Sequence, residues 1–403
     1  MPLNLKSLIL IGVESVAEKR PRIVALDIMR GFFIAVIVID HLAWNFNFFE
    51  PITGANMLWV SAAEGFFVIS GILVGYIYYS KIGKYPKAVF KKLWSRALLL
   101  YLLAVSTTLL FTALAYSLKS YGTGIVPDGL RIDSIQNITI AALSFNYLYG
   151  LSDFPARYAL LMVFAPIILL LLHRLRRTGV ILTIGGAILA WLFLRENVTN
   201  SSHANIIIWE IFFIPSIVIG FYLPSVERWS ISISKKVQTR ILISLLTISA
   251  AIYILTYIHA SIINSGLLTA LLPISQNLFQ PIVDIGNSLA PYTDKQSIGV
   301  VRIISTIVWF STAYIIVRRF EAPINRFTRG FFDFLGRNSL VAYISHAFVL
   351  FFFILFVSVD LFPGVMLRTV GSIIVTLATL GLTVLYVKLS KKKPTTTTLG
   401  KKS

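Results

Sequence analysis

The sequence contains no cysteine and few acidic residues. Its 403 residues include 17 Asp and Glu against 36 Lys and Arg, and only 13% of residues are charged, about half the share found in soluble domains. Without cysteine the chain can form no disulfide and cannot use thiol catalysis, and the redox compartment stays open. So low a charge content argues against an ordinary soluble globular protein.

Long apolar runs make up most of the chain instead. Hydrophobic residues account for 57% of the sequence, and the mean hydropathy is +0.81. Several runs between residues 23 and 387 exceed the roughly 18 residues that mark a membrane-spanning helix. We therefore predict an all-α integral membrane protein with about ten transmembrane helices. The predicted spans cover residues 24–45, 57–79, 97–118, 155–173, 178–195, 205–223, 240–262, 301–318, 338–359 and 365–387.

One apolar segment, residues 137–150, is too short to cross a hydrocarbon core of about 30 Å at 1.5 Å per residue. We predict a re-entrant or interfacial half-helix there, between polar stretches at 119–136 and, much later, 264–300. With this assignment 28 of the 36 Lys and Arg fall in cytoplasmic segments, as the positive-inside rule requires. The same placement explains the net charge of +19 without nucleic acid as a partner.

The chain is therefore expected to lie in the plasma (inner) membrane with both termini in the cytoplasm. Residues 1–22 form a cytoplasmic N-terminal segment, residues 23–388 form one multi-pass membrane domain, and residues 389–403 form a basic disordered tail.

The first predicted span contains four ionisable residues, Asp27, Arg30, Asp40 and His41. Such groups are costly inside a bilayer and are candidates for function. Arg30 and His41 are eleven residues apart, so they project from one helix face about 16 Å apart. Asp27 and Arg30 are neighbours on the helix, and a purely structural pair is an alternative.

The second span begins with a buried carboxylate, Glu64, at the expected depth of His41. Because a buried carboxylate needs a partner, we predict that Glu64 binds His41 and supports its basicity. Gly71 and Gly75 form a GxxxG step that permits close helix packing.

Two ionisable residues later in the chain each have two possible roles. His346 lies about eight residues into its span, at the expected depth of Arg30, and is either structural or catalytic. Arg302 opens the span at 301–318 and is either an anchor that extends to the interface or a clamp for an acceptor.

The pattern of Arg30, ten residues and His41 resembles the signature of the membrane acyltransferase-3 superfamily. The strings RIVALDIMRGFFIAVIVIDHL and AAEGFFVISGILVGYIYY resemble its OpgC-type branch, which is named for the succinyltransferase of osmoregulated periplasmic glucans. SDFPARYALLMVFAPIILLLL, DKQSIGVVRII and FLGRNSLVAYISH extend the resemblance along the chain. The outer-face stretch at 153–158 departs from the branch's more apolar pattern.

The resemblance implies an O-acyltransferase that moves succinyl or acetyl from cytoplasmic acyl-CoA to a hydroxyl of an extracytoplasmic polysaccharide or glycolipid, with no metal. His41 would be the base, with Glu64 and Arg30 as catalytic partners. Five residues are assigned to substrate binding, namely Asp27, Asp40, Arg302, His346 and Tyr158. The basic loop at 80–96 would meet the CoA phosphates through Lys91, Lys92 and Arg96, unless its charge only sets topology.

Two other classes remain as alternatives. A transporter or flippase for a glycan or lipid intermediate would line its path with the buried charges. Many transporters contain paired repeats with broken helices, and we find one short segment without a second copy. A non-catalytic sensor is the third class, although it would not require Arg30, His41 and Glu64 together.

The predicted topology can be tested because the chain has no cysteine of its own. Single cysteines at Ser80, Ser134 and Ser390 are exposed to an impermeant maleimide on intact cells. We expect labelling at position 134 only, since the other two positions belong to cytoplasmic segments. Labelling at 80 or 390 would contradict the topology and the placement of His41 in the outer half of the membrane.

Overall fold

The computed structural model describes residues 21–42, 47–54, 57–118, 134–199, 201–263, 271–272, 276–357 and 359–391. Across these ranges the chain is helical and contains no strand, which confirms the all-α prediction. Most of the predicted N-terminal segment, the loop at 119–133 and the tail beyond residue 391 lie outside the described residues, so the predicted domain boundaries stay predictions.

Fifteen α-helices are present in the described ranges. They are α1 Val24–Asp40, α2 Glu50–Thr53, α3 Ala62–Ile82, α4 Pro86–Ser117, α5 Ile135–Leu143, α6 Asp153–Asn197, α7 Ser202–Ile207, α8 Glu210–Ser232, α9 Lys235–Ile263, α10 Gln280–Thr293, α11 Val300–Arg319, α12 Glu321–Phe327, α13 Phe331–Arg337, α14 Ser339–Phe356 and α15 Gly364–Lys391. Eight helical segments in the described chain are long and apolar enough to cross a membrane.

Helix α6 reverses direction at Arg176. The backbone there has φ 45° and ψ −113°, outside the helical region. A Cβ on Gly179 would lie 2.6 Å from the carbonyl oxygen of Leu171, so the second arm folds back onto the first. The two arms match the predicted spans at 155–173 and 178–195. Together with α1, which has 17 residues, they are compatible with the prediction of about ten crossings.

The predicted half-helix is present as α5. It has nine residues, which at 1.5 Å each extend about 14 Å and cannot cross a 30 Å core. Ser134 caps its start by accepting a hydrogen bond from the amide of Asn137 at 3.1 Å. The second predicted loop was partly wrong, because residues 280–293 form α10. The loop was predicted from the polarity of this stretch, but proline, here Pro281, is well accommodated in the first turn of a helix.

Helices α3 and α8 pack through glycines. A Cβ on Gly71 would lie 2.3 Å from the carbonyl oxygen of Phe213, and one on Gly75 would lie 2.2 Å from that of Ile217. The contacts advance together along both helices, so these run in the same direction. The predicted packing role of the GxxxG step is confirmed.

The short helix α13 packs against α1 in the opposite direction. Gly31 of α1 lies on the backbone of Phe332, and Gly336 lies on the backbone of Asp27. The chain then turns at Asn338 and α14 runs back toward the end of α1. These glycine contacts place α14 beside the residues that end α1.

The close packing at Gly75 gives a stability prediction. Gly75→Leu should lower the unfolding temperature in detergent, because overpacking of this kind costs about 1–3 kcal/mol. Gly185→Leu is the matched control, since no atom of the described residues lies within 4 Å of a Cβ built there. Equal melting of the two variants, measured as the fraction that stays monodisperse after heating, would contradict the packing described.

Candidate active site

His41 ends α1 and faces a cavity. Its backbone amide donates to the carbonyl oxygen of Ile37 at 3.0 Å, and its side chain is exposed. The cavity has a volume of about 130 Å³. Its lining comprises Ile37, Asp40, His41, Ser61, Ala62, Ala63, Phe67, Asp153, Phe154, Arg157, Trp209, Lys295 and Tyr343.

The partner of His41 is His346. Nδ1 of His41 lies 3.1 Å from Nε2 of His346, and the two rings are nearly parallel with centroids 5.3 Å apart. His346 is fully buried. The prediction that His346 lies at the depth of Arg30 is therefore wrong. The contact between the two rings instead places His346 at the end of α1, about 16 Å from Arg30 along the helix axis.

Glu64 does not contact His41, contrary to our prediction. Its Oε1 accepts a hydrogen bond from Nε of Arg302 at 2.6 Å, and its Oε2 accepts from both the amide and the hydroxyl of Ser61. The cause is local, because Glu64 is the third residue of α3 and closes a capping box with Ser61. Both oxygens are therefore engaged, and the carboxylate is fully buried.

Arg302 is buried as well, with 4% of its surface exposed. Besides its pair with Glu64, it donates to the carbonyl oxygen of Thr293 at 3.2 Å. The interpretation as an anchor that extends to the interface is therefore wrong. Arg302 is not among the residues that line the cavity, and a role in binding the acceptor stays a prediction.

Arg30 lies deeper along α1 and is also buried. Its guanidinium donates to the hydroxyl of Ser70 at 3.1 Å and lies 5.2 Å from the ring centroid of Phe66. Its Nε has no hydrogen-bond partner among the described residues. Asp27 pairs with Arg22 at 2.9 Å, so the suggested ion pair with Arg30 is replaced by one at the start of the helix.

Tyr158 and Arg96 lie on the Arg30 side of the protein. The Arg96 guanidinium is 5.8 Å from the ring centroid of Tyr158, and both side chains are close enough to Arg30 to act on its charge. Tyr158 is buried and does not line the His41 cavity, unlike Asp153 and Arg157 of the same stretch. Lys91 and Lys92 are exposed, and their role in binding CoA stays a prediction.

Several cavity residues were not predicted as site residues. Asp153 and Arg157, four apart on α6, form an ion pair at 3.2 Å, and Arg157 also donates to the carbonyl oxygen of Asn205 at 3.0 Å. The guanidinium carbon of Arg157 lies over the ring of Trp209, 5.1 Å from the ring centroid. Lys295 is exposed at the cavity. The opposite charges four apart at the start of an apolar helix were the signal that could have identified the first pair.

Glu210, at the start of α8, is a further buried carboxylate that sequence reasoning missed. It is 2% exposed, and neither carboxylate oxygen has a hydrogen-bond partner among the described residues. It is not among the residues that line the cavity.

Within the described residues, no group of three or more His, Asp or Glu side chains is arranged to hold a metal ion. The family model described as OpgC protein matches residues 22–392, nearly the whole chain. No curated protein and no solved structure matches the chain.

The buried Glu64–Arg302 pair gives a prediction on stability. Glu64→Gln leaves the Arg302 guanidinium buried without its charge partner, which costs about 3–5 kcal/mol, so the variant should melt well below the parent protein in detergent. The double variant Glu64→Gln/Arg302→Gln should lose less than the sum of the two single variants. Glu321→Gln is the control, because its pair with Arg318 is partly exposed and is worth about 0–1 kcal/mol. Additive losses at Glu64 and Arg302 would contradict a direct pair.

Proposed function

The chain belongs to the OpgC protein family, and we propose that it is a membrane-embedded O-acyltransferase that moves a succinyl or acetyl group from cytoplasmic acyl-CoA to a hydroxyl of an extracytoplasmic glycan. The observation that carries the proposal is the exposed imidazole of His41 at the cavity. Its Nδ1 is held by His346, and its Nε2 has no hydrogen-bond partner among the residues described.

His41 acts as the general base. A sugar hydroxyl is a weak nucleophile at neutral pH, and a positioned imidazole can accept its proton as the C–O bond forms. The alkoxide oxygen attacks the thioester carbonyl carbon, the C–S bond breaks, and the CoA thiolate leaves. His41 then transfers the proton that it took from the sugar hydroxyl to the CoA thiolate. The partial negative charge at the C-terminus of α1 stabilises the imidazolium in between.

The cavity suits a polyhydroxyl acceptor. Asp40 and Asp153 can accept hydrogen bonds from sugar hydroxyls, and Lys295 can donate to them. A volume of about 130 Å³ corresponds to about four water molecules. The acceptor would therefore insert only its reacting end, and the rest of the glycan would remain outside.

The donor would approach from the Arg30 side. Arg30, Arg96 and Tyr158 offer two cations and a phenol to the polar parts of an acyl-CoA. Arg30 and His41 are about 16 Å apart along α1, and a pantetheine arm has a similar length. The cavity reaches Ile37 but not Arg30, and a donor channel that continues between them is a further expectation of this proposal.

His41→Ala should abolish acyl transfer while the protein remains in the membrane at normal abundance. Loss of a positioned base typically costs about 10²–10⁴-fold in rate. The measurement is mass spectrometry of acyl substituents on the surface glycans of cells that express each variant.

His203→Ala is the control for this experiment, because His203 is exposed, its ring contacts the carbonyl oxygen of Ser144, and it is not among the residues that line the cavity. It should retain near-normal transfer. Normal acylation by a stably expressed His41→Ala variant would refute the base assignment and make the transporter alternative the leading one.

A further inference from the structure

His346 makes two hydrogen bonds that together form a chain ending at His41. Its Nδ1 contacts the carbonyl oxygen of Tyr343, one turn earlier on α14. Its Nε2 lies 3.1 Å from Nδ1 of His41. The Tyr343 ring packs edge-on against the imidazole of His346, with centroids 4.5 Å apart. The ring of His346 therefore has little freedom to rotate.

The first bond in this chain determines the proton position in the second. A backbone carbonyl oxygen only accepts, so Nδ1 of His346 must carry a proton. In a neutral imidazole the other nitrogen, Nε2, is then an acceptor. Nδ1 of His41 must donate to it, and Nε2 of His41 is left with its lone pair. We infer that His346 is a positioning residue that holds His41 in the tautomer whose Nε2 can accept the hydroxyl proton.

The inference requires His346 to be neutral, and its surroundings favour that state. The side chain is fully buried, and an unpaired buried charge is costly. Within the described ranges no carboxylate lies within ion-pair distance of either ring nitrogen, and the buried carboxylate of Glu64 pairs with Arg302. A cationic His346 would donate to Nδ1 of His41, place the proton of His41 on Nε2, and leave no base.

The charged groups of the cavity line it together with His41, whereas His346 is not among the lining residues. Asp40, Asp153, Arg157 and Lys295 all line the cavity. Tyr343, which also lines the cavity, is the ionisable side chain whose ring contacts His346. When His41 takes up a proton on Nε2, its Nδ1–H still donates to the neutral His346, so no proton has to pass to His346. This role rests on the proposed function and replaces the one predicted for Glu64.

Two substitutions separate positioning from structure. His346→Leu keeps an apolar side chain of similar size but removes the acceptor, and His346→Gln keeps an acceptor oxygen within reach of His41. For purified enzyme in lipid nanodiscs, with acyl-CoA and a glucan acceptor, we expect His346→Leu to lower kcat about 10- to 100-fold, as for other residues that orient a functional imidazole. KM for both substrates should change little, and His346→Gln should recover most of kcat. Equal losses in both variants, or a change confined to KM, would overturn the inference.

A second measurement does not depend on activity. With ¹⁵N-labelled histidine in lipid bilayers, solid-state NMR distinguishes protonated from unprotonated ring nitrogens, and His41→Gln identifies the His41 signals by their loss. We expect neutral His41 to carry its proton on Nδ1, and His346→Leu to produce a mixture of tautomers. His203→Leu, at an exposed site, should leave the His41 signals unchanged.

The NMR outcomes are decisive for the inference by themselves. A proton on Nε2 of His41 in the parent protein, or an unchanged tautomer in His346→Leu, would overturn it. If the NMR result is as expected but the parent protein transfers no acyl group to any glycan, the proposed function fails while the positioning of His41 stands.

Discussion

The ion pair between Glu64 and Arg302 determines which partner is left for His41. It joins the start of α3 to the start of α11 across 238 positions of sequence, and it uses one oxygen of Glu64 while Ser61 uses the other. Held in this way at the start of α3, the carboxylate does not contact the imidazole of His41. The group beside His41 is instead the imidazole of His346, which we infer to be neutral, and the electrostatics of the site follow from that.

Glycine contacts determine where this neutral partner lies. Gly31 and Gly336 allow α13 to pack backbone to backbone against α1, and α14 then returns toward the cavity with His346 on the face toward α1. A side chain at either glycine would separate the helices and move His346 away from His41. The packing of α3 on α8 through Gly71 and Gly75 similarly supports Phe67, which lines the same cavity.

The sequence predicted much of the fold because most of the relevant signals are local. Apolar run length identified the long helices, the shortness of 137–150 identified α5, and the gap between the predicted spans at 155–173 and 178–195 marked the reversal of α6 at Arg176. The spacing of Arg30 and His41 identified the helix that carries the candidate base. Each of these inferences needs only the composition of one segment and the thickness of a bilayer.

The partners within the site were harder to predict, because they depend on the rotation and depth of helices that are distant in sequence. His346 is 305 positions from His41, and counting residues from an assumed boundary placed it too close to the inner face. Glu64 was paired with His41 from depth alone. The S-x-x-E pattern at Ser61–Glu64 indicated instead that this carboxylate would be used at its own helix start.

A neutral partner behind the base is consistent with the physics of a membrane interior. A carboxylate behind His41 would stabilise the imidazolium more strongly, but it would have to be buried as a charge before any substrate arrived, at a cost of several kcal/mol. A neutral imidazole fixes the tautomer without that cost. Stabilisation of the cation must then come from the cavity side, where Asp40 and Asp153 lie, and from the C-terminus of α1. The orientation of the base and the stabilisation of its charge are thus supplied by different parts of the protein, so substitutions at His346 and at the cavity carboxylates should affect the reaction in distinguishable ways.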